Sequence, residues 1–196
     1  MKIDLQKKNI LVTGASRGIG AAISKELGKS GARIAIHYNR EKESAEEMAQ
    51  IIGNDSKIFK ANLQEPVNCE MLFKDVLEEF GHIDVIINNA GTAILSPLDS
   101  ENWVKQWDET MSINLRAVGI LCNLAIKHFK TRKCGRIINI ASRAAFRGDT
   151  AEYLAYAASK AGVVSLSKSI ARAFGKDGIT CFVVAPGWVK TDMAKE

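Results

Sequence analysis

Short apolar bursts alternate with longer stretches of helical period along the chain. Residues 9–13 read as a strand, and 18–30 as a helix that Gly31 ends. Residues 32–37 read as a second strand, 42–52 as a helix closed by Gly53, and 57–61 as a third strand. A helix over 67–80 opens near Pro66 and stops at Gly81. The fourth strand, 83–88, is almost wholly apolar, which marks a strand buried on both faces of a parallel sheet. A loop of small and polar residues covers 91–100. A long helix then spans about 103–130, with a break near Asn114. Strands at 136–141 and 179–185 flank a helix over about 152–174, and Pro186-Gly187 stops the last strand. This strand–helix alternation predicts one α/β domain over 1–196. Its fold would be a Rossmann-like doubly wound parallel sheet with helices on both faces.

The composition supports such a core. Of 196 residues, 46% are apolar without counting glycine and 25% are charged, which excludes a disordered or collagen-like chain. The net charge of +5 favours anionic ligands weakly. Lys and Arg are spread along the chain, so no nucleic-acid partner is expected. The densest group, Lys127, Lys130, Arg132 and Lys133, sits where it suits the negative end of a helix dipole. Cys69, Cys122, Cys134 and Cys181 have no zinc or CxxC spacing, and three of them lie in apolar stretches as small hydrophobes. A reducing, cytoplasmic setting is the expectation. There is no signal-peptide pattern and no apolar run of about 18 residues, so no membrane association is expected.

The first strand feeds directly into TGASRGIG at residues 13–20, and a helix starts inside that segment. Glycines allow a tight turn and close approach of backbone to a pyrophosphate, while free amides at a helix start face its charge. A glycine cluster alone is weak evidence, but here strand precedes and helix follows. The lysine-serine/threonine ending of a P-loop is absent, which argues against a nucleoside triphosphate. The second strand ends at His37-Tyr38-Asn39-Arg40, and the first acid, Glu41, lies beyond it. An NAD site places an acid there to accept from the ribose hydroxyls. Arg40 and Arg17 instead provide two guanidiniums for a ribose phosphate, so NADP(H) is expected over NAD(H). Asn88-Asn89-Ala90-Gly91 closes the fourth strand, and Asn62 follows the third. Both lie where strand carboxyl ends form a ligand crevice.

Ser142 follows the fifth strand, and Tyr156 and Lys160 stand four apart on one helix face. Tyr153 lies on roughly the same face and is a rival. An ammonium beside a phenol favours its charged form, so the pair can pass a proton to a developing alkoxide. Ser142 can hydrogen-bond the same oxygen. The plainer alternative is an ordinary amphipathic helix carrying an aromatic and a surface lysine.

On these residues the chain resembles the short-chain dehydrogenase/reductase family, and within it the 3-oxoacyl-[acyl-carrier-protein] reductase type. The matching pieces are TGASRGIG, NNAG at 88–91, Asn114, Ser142, YAASK at 156–160, and Pro186-Gly187 with Thr191. The resemblance implies that Tyr156 is the general acid/base. Lys160 would bind the nicotinamide ribose, Ser142 would orient the carbonyl, and Asn114 would hold a water in a proton relay at a helix kink. It implies cofactor contacts from Gly14, Ser16, Arg17, Gly18, Ile19, Gly20, Asn39, Arg40, Asn62, Leu63, Asn89, Ala90 and Gly91. Tyr156, Lys160, Pro186, Gly187, Val189 and Thr191 complete that set. The implied activity is NADPH-dependent reduction of a ketone to a secondary alcohol, with a 3-oxoacyl thioester as the best substrate and acyl carrier protein as a partner. Other ketones, sugars or alcohols are alternatives, as is a non-catalytic NADP-binding protein. The resemblance also implies a homodimer or homotetramer, with the helices over 102–130 and 152–174 at one interface. Two departures stand out. Asn62 replaces the family's usual Asp, and the chain is shorter than the roughly 250 residues usual there, so a last strand and substrate lid are expected to be absent. No metal ligands are expected.

Overall fold

The computed structural model describes residues 3–190. Its strands are β1 (Asn9–Val12), β2 (Arg33–Tyr38), β3 (Lys57–Lys60), β4 (Val85–Asn88), β5 (Gly135–Ile140) and β6 (Ile179–Val184). All neighbours pair in parallel, in the order β3-β2-β1-β4-β5-β6. The chain moves outward from β1 to β3, then returns to start β4 on the other side of β1. That reversal opens a crevice at the carboxyl ends of β1 and β4.

The helices are α1 (Gly18–Lys29), α2 (Lys42–Ile52), α3 (Pro66–Phe80), α4 (Trp103–Met111), α5 (Ala117–Arg132), α6 (Ala144–Arg147) and α7 (Leu154–Phe174). The period-2 alternation of the strands splits the core into two layers. Leu11, Ala35, Ile86 and Ile137 point toward α3, α5 and α7. Ile10, Val12, Ile34, Ile36 and Ile87 point the other way, where α1 and α2 supply Ile23, Leu27, Ala45 and Ile52. The expectation of helices on both faces is met over β1–β3. Along β6 the second face is open: among the described residues no helix covers Phe182, 50% exposed, or Val184, 48% exposed.

The long helix expected over 103–130 divides. Between α4 and α5 the backbone widens into a π turn, Ser112–Arg116, centred on Asn114. Such a turn inserts one extra residue per turn and displaces the ladder locally. Beyond α5, Lys133 takes the left-handed conformation, φ +52°, and reverses the chain. Arg132 does more than face the helix dipole: it donates to the Ile83 carbonyl at 2.7 Å and pairs with Asp84 at 3.2 Å. The helix expected from 152 begins as a 3-10 turn, Ala151–Tyr153, before α7. The four-residue α6 has no counterpart in the apolar pattern, because a single turn shows no period. Cys69 and Cys122 are buried, Cys181 is half-buried and Cys134 is exposed. No described helix is long and apolar enough to cross a membrane.

Candidate active site

At the carboxyl end of β1, Gly14 turns the chain at φ +62°, a conformation that glycine adopts freely. A Cβ on Gly14 would lie 3.0 Å from the Ala90 Cα. The loop is therefore pressed against the segment after β4, and the contact is hydrogen-bonded. Asn89 Nδ2 donates to the Thr13 and Gly14 carbonyls at 2.9 and 3.0 Å. The amides of Asn89 and Ala90 both donate to Thr13 Oγ1, at 2.9 and 3.0 Å. Gly20 is buried beneath the loop, where a Cβ would stand 2.1 Å from the Gly14 carbonyl oxygen. It is not among the residues that line the crevice, and its place in the loop is one of close packing. Among the described residues the amides of Ser16, Arg17, Gly18 and Ile19 have no protein acceptor. They are free for an anion at the start of α1.

These residues line a cavity of about 810 Å³ that runs along the strand ends. At one end stand Arg17, Asn39, Arg40, Asn62 and Leu63. Neither arginine has an ion-pair partner among the described residues. Glu41 reaches the same rim. Asn62 spends its Oδ1 on the Gln64 amide, at 3.2 Å. Ala90 and Gly91 form the middle of the wall, and Pro186, Gly187 and Val189 close the far side. Thr191 lies outside the described residues. Free amides, two unpaired guanidiniums and glycines at the closest approaches suit an extended dinucleotide with a phosphorylated or hydroxylated ribose.

Ser142, Tyr156 and Lys160 line the same cavity. Ser142 follows β5, and its Oγ accepts from the Ala144 amide at 3.1 Å, which leaves its own proton unclaimed. Tyr156 sits in the first turn of α7, and no described group bonds its hydroxyl. Lys160 is one turn further on, and its Nζ stands 5.8 Å from the centroid of the tyrosine ring. That lysine is only 5% exposed. Its Nζ donates to the Ile140 carbonyl at 2.9 Å. Burial pulls its pKa down from 10.5 to about 8. Tyr153 also lines the cavity, so the structure keeps both tyrosines within it.

Asn114 is fully buried and does not line the cavity. Its Oδ1 accepts from the Thr92 amide, while its Nδ2 donates to the Thr92 carbonyl, each at 2.8 Å, and to Ser159 Oγ at 3.1 Å. The side chain thus joins the π turn to the loop after β4 and to α7. Its side chain supports the wall from behind. A Cβ on Gly91 would meet Asn114 Oδ1 at 3.2 Å and Lys160 Nζ at 3.3 Å, so a larger residue there would crowd the point where these groups converge. Sequence reasoning missed Thr13, which clamps two amides, and His37, Arg143, Arg147 and Trp188, which also line the cavity. For His37 a signal existed: a polar side chain inside a buried strand must find partners.

The chain matches the family model described as short chain dehydrogenase over residues 8–196. It is 35% identical over 196 residues to the 3-oxoacyl-[acyl-carrier-protein] reductase FabG of Vibrio cholerae, covering 98% of this chain and 78% of that protein. The reductase of the same name from Staphylococcus aureus is 36% identical over 192 residues, covering 95% and 76%. Among solved structures, a short chain dehydrogenase from Burkholderia cenocepacia in complex with NADP is similar with a TM-score of 0.90 and 37% identity, covering 96% and 77%. A 3-ketoacyl-(acyl-carrier-protein) reductase from Brucella melitensis complexed with NADH gives 0.91 and 28%, covering 98% and 80%.

Proposed function

Since this chain belongs to the short-chain dehydrogenase family and is an oxidoreductase with a fold that binds NAD(P)(H), we propose that it reduces a substrate ketone to a secondary alcohol with NADPH. One observation carries the reading: a single cavity is lined by the glycine loop, by two unpaired arginines, and by Ser142, Tyr156 and Lys160.

The free amides from Ser16 to Ile19 hold the pyrophosphate, and Arg17 and Arg40 hold a 2′-phosphate through charge-assisted forks. When bound, the nicotinamide supplies the hydride. Ser142 donates its unclaimed proton as a hydrogen bond to the substrate carbonyl oxygen, which steadies charge as it develops there. Tyr156 donates the phenolic proton to that oxygen as general acid. Lys160 has three protons and commits one to Ile140, so two are left for ribose hydroxyls. The best substrate is a 3-oxoacyl thioester carried by acyl carrier protein, the substrate named for the Vibrio cholerae and Staphylococcus aureus relatives. A homodimer or homotetramer through the α4–α5 and α7 faces fits the half-exposed Ile120 and Leu124 on α5.

The test is NADPH oxidation followed by absorbance with 3-oxoacyl thioesters and simple ketones. Tyr156→Phe should abolish turnover and keep cofactor binding, while Tyr153→Phe should stay active. The reverse pattern would move the acid to Tyr153. Reduction of ketones but not thioesters would keep the enzyme reading and remove the acyl substrate.

A further inference from the structure

His37 is the one charged-type side chain buried in β2, and it is 2% exposed. It takes hydrogen bonds from two successive amides of the glycine loop. The Gly14 amide donates to its Nδ1 at 2.9 Å, and the Ala15 amide donates to its main-chain carbonyl at 2.9 Å. On the other side of the ring, Nε2 lies 3.1 Å from the Ala61 carbonyl oxygen. A carbonyl only accepts, so Nε2 must carry the proton and Nδ1 must be the bare acceptor. Ala61 therefore fixes the tautomer that the Gly14 amide requires. Burial reinforces the neutral ring by pulling its pKa down to about 4.

The consequence lies in which amides remain. With Gly14 and Ala15 turned inward onto His37, the unbonded amides among the described residues of this loop include those of Ser16 to Ile19, at the start of α1. The ring also ties the loop to residue 61, next to Asn62 on the adenosine end of the cavity. We propose that His37 is a positioning residue for dinucleotide binding: its Nδ1 anchors the Gly14 amide and so aims the following amides at the pyrophosphate. This builds on the nucleotide-site reading but not on the identity of the ketone, and it does not require Tyr156 to be the acid.

Three substitutions separate the two sides of the ring. In His37→Asn the Oδ1 can stand at the level of Nδ1 and accept from Gly14, but nothing reaches Ala61. In His37→Gln the Nε2 can reach Ala61, but no acceptor stands at the level of Nδ1. His37→Phe keeps ring volume and has neither group. The readouts are the Kd of NADPH from nicotinamide fluorescence, the Kd of 2′,5′-ADP from competition, and the thermal midpoint without ligand. The expected result is NADPH binding within about threefold of the parent for Asn, and at least tenfold weaker for Gln and Phe. Phosphate-containing 2′,5′-ADP should weaken in parallel.

A purely structural histidine would give another pattern, with the thermal midpoint falling alike in all three and Kd of the folded fraction unchanged. That result would overturn the proposal, as would Gln binding as tightly as Asn. If Phe fails to fold, the Asn and Gln comparison decides alone. If none of the proteins, parent included, binds NADPH, the nucleotide-site reading falls, and that is distinguishable from failure of the His37 role.

Discussion

Lys160→Met should stabilise the cofactor-free protein at pH 7 and destabilise it at pH 10.5. The side chain is a buried cation with one hydrogen bond, from Nζ to the Ile140 carbonyl at 2.9 Å. Burial lowers its pKa from 10.5 to about 8, a difference equivalent to about 3 kcal/mol of cost for keeping the ammonium charged in the fold. At pH 7 the lysine is charged in both states, so the whole cost is present. Between pH 8 and 10.5 the folded lysine has lost its proton while the unfolded one keeps it, so stability rises with pH. Above 10.5 the cost is gone. Methionine removes the charge, fills similar volume, and leaves the Ile140 carbonyl without its donor, a loss of about 1–2 kcal/mol. The net is a gain of about 1–2 kcal/mol at pH 7 and a loss of about 1–2 kcal/mol at pH 10.5. Urea unfolding of parent and variant at the two pH values reads both numbers. A variant less stable at pH 7, or a difference that does not change sign, would refute the reasoning. Turnover should be lost at either pH.

Three further substitutions probe the rest of the site and its frame. Gly20→Ala places a Cβ 2.1 Å from the Gly14 oxygen. It should cost about 1–3 kcal/mol in stability and weaken NADPH binding at least tenfold in the same fluorescence titration. Arg40→Ala should raise the KM for NADPH about tenfold, the loss of one charge-assisted contact, and leave the KM for NADH within twofold. An equal rise in both would remove Arg40 from phosphate recognition. Asp84 is the anion under the sheet. Burial alone would raise its pKa, but the Asn9 amide and the cations of His82, Lys8 and Arg132 outweigh burial and hold it below the ordinary 3.8. Its contribution is therefore present above the unfolded value and fades as pH falls through the lower folded one. Asp84→Asn should lower the thermal midpoint at pH 7 and close the gap with the parent at pH 3. A gap that widens at pH 3 would reverse the sign.

The strands were legible because parallel strands buried on both faces read as near-continuous apolar runs, and β1, β2 and β4 read so apart from Asn9, Arg33, His37 and Asn88. The glycine loop was legible for a different reason: Gly14 at φ +62° and Gly20 beneath it answer steric demands that no other residue meets. Helical spacing made Tyr156 and Lys160 a candidate pair, with Tyr153 as a rival, and one turn of α7 brings the pair to the same wall. What failed to show was every function that depends on register between distant segments. Asn88 and Asn139 look like isolated polar residues in apolar runs. The pairing of β4 with β5 sets them side by side, where Asn88 Nδ2 donates to Asn139 Oδ1 at 2.8 Å, and Asn139 Nδ2 donates to Ser167 Oγ at 2.8 Å. That chain of amides pins α7 to the sheet about two turns beyond Lys160. For Asn114 the break in the helix was visible and the resemblance named the residue, but its side-chain partners, Thr92 and Ser159, come from two other segments.

His37 completes the same argument from the other end of the cavity. Its neighbours in sequence are apolar, and only the β1–β2 and β2–β3 pairings bring Gly14 and Ala61 to opposite edges of its ring. Residues that touch a ligand are constrained locally by turn and spacing, so a sequence exposes them. Residues that aim those contacts are constrained by strand order: a polar residue in an apolar run marks them, but their partners become visible only when the order β3-β2-β1-β4-β5-β6 is known. By this logic, perturbing an aiming residue should change affinity through geometry alone. The parent's contacts would all remain in the sequence, and the contrast between His37→Asn and His37→Gln measures that separation.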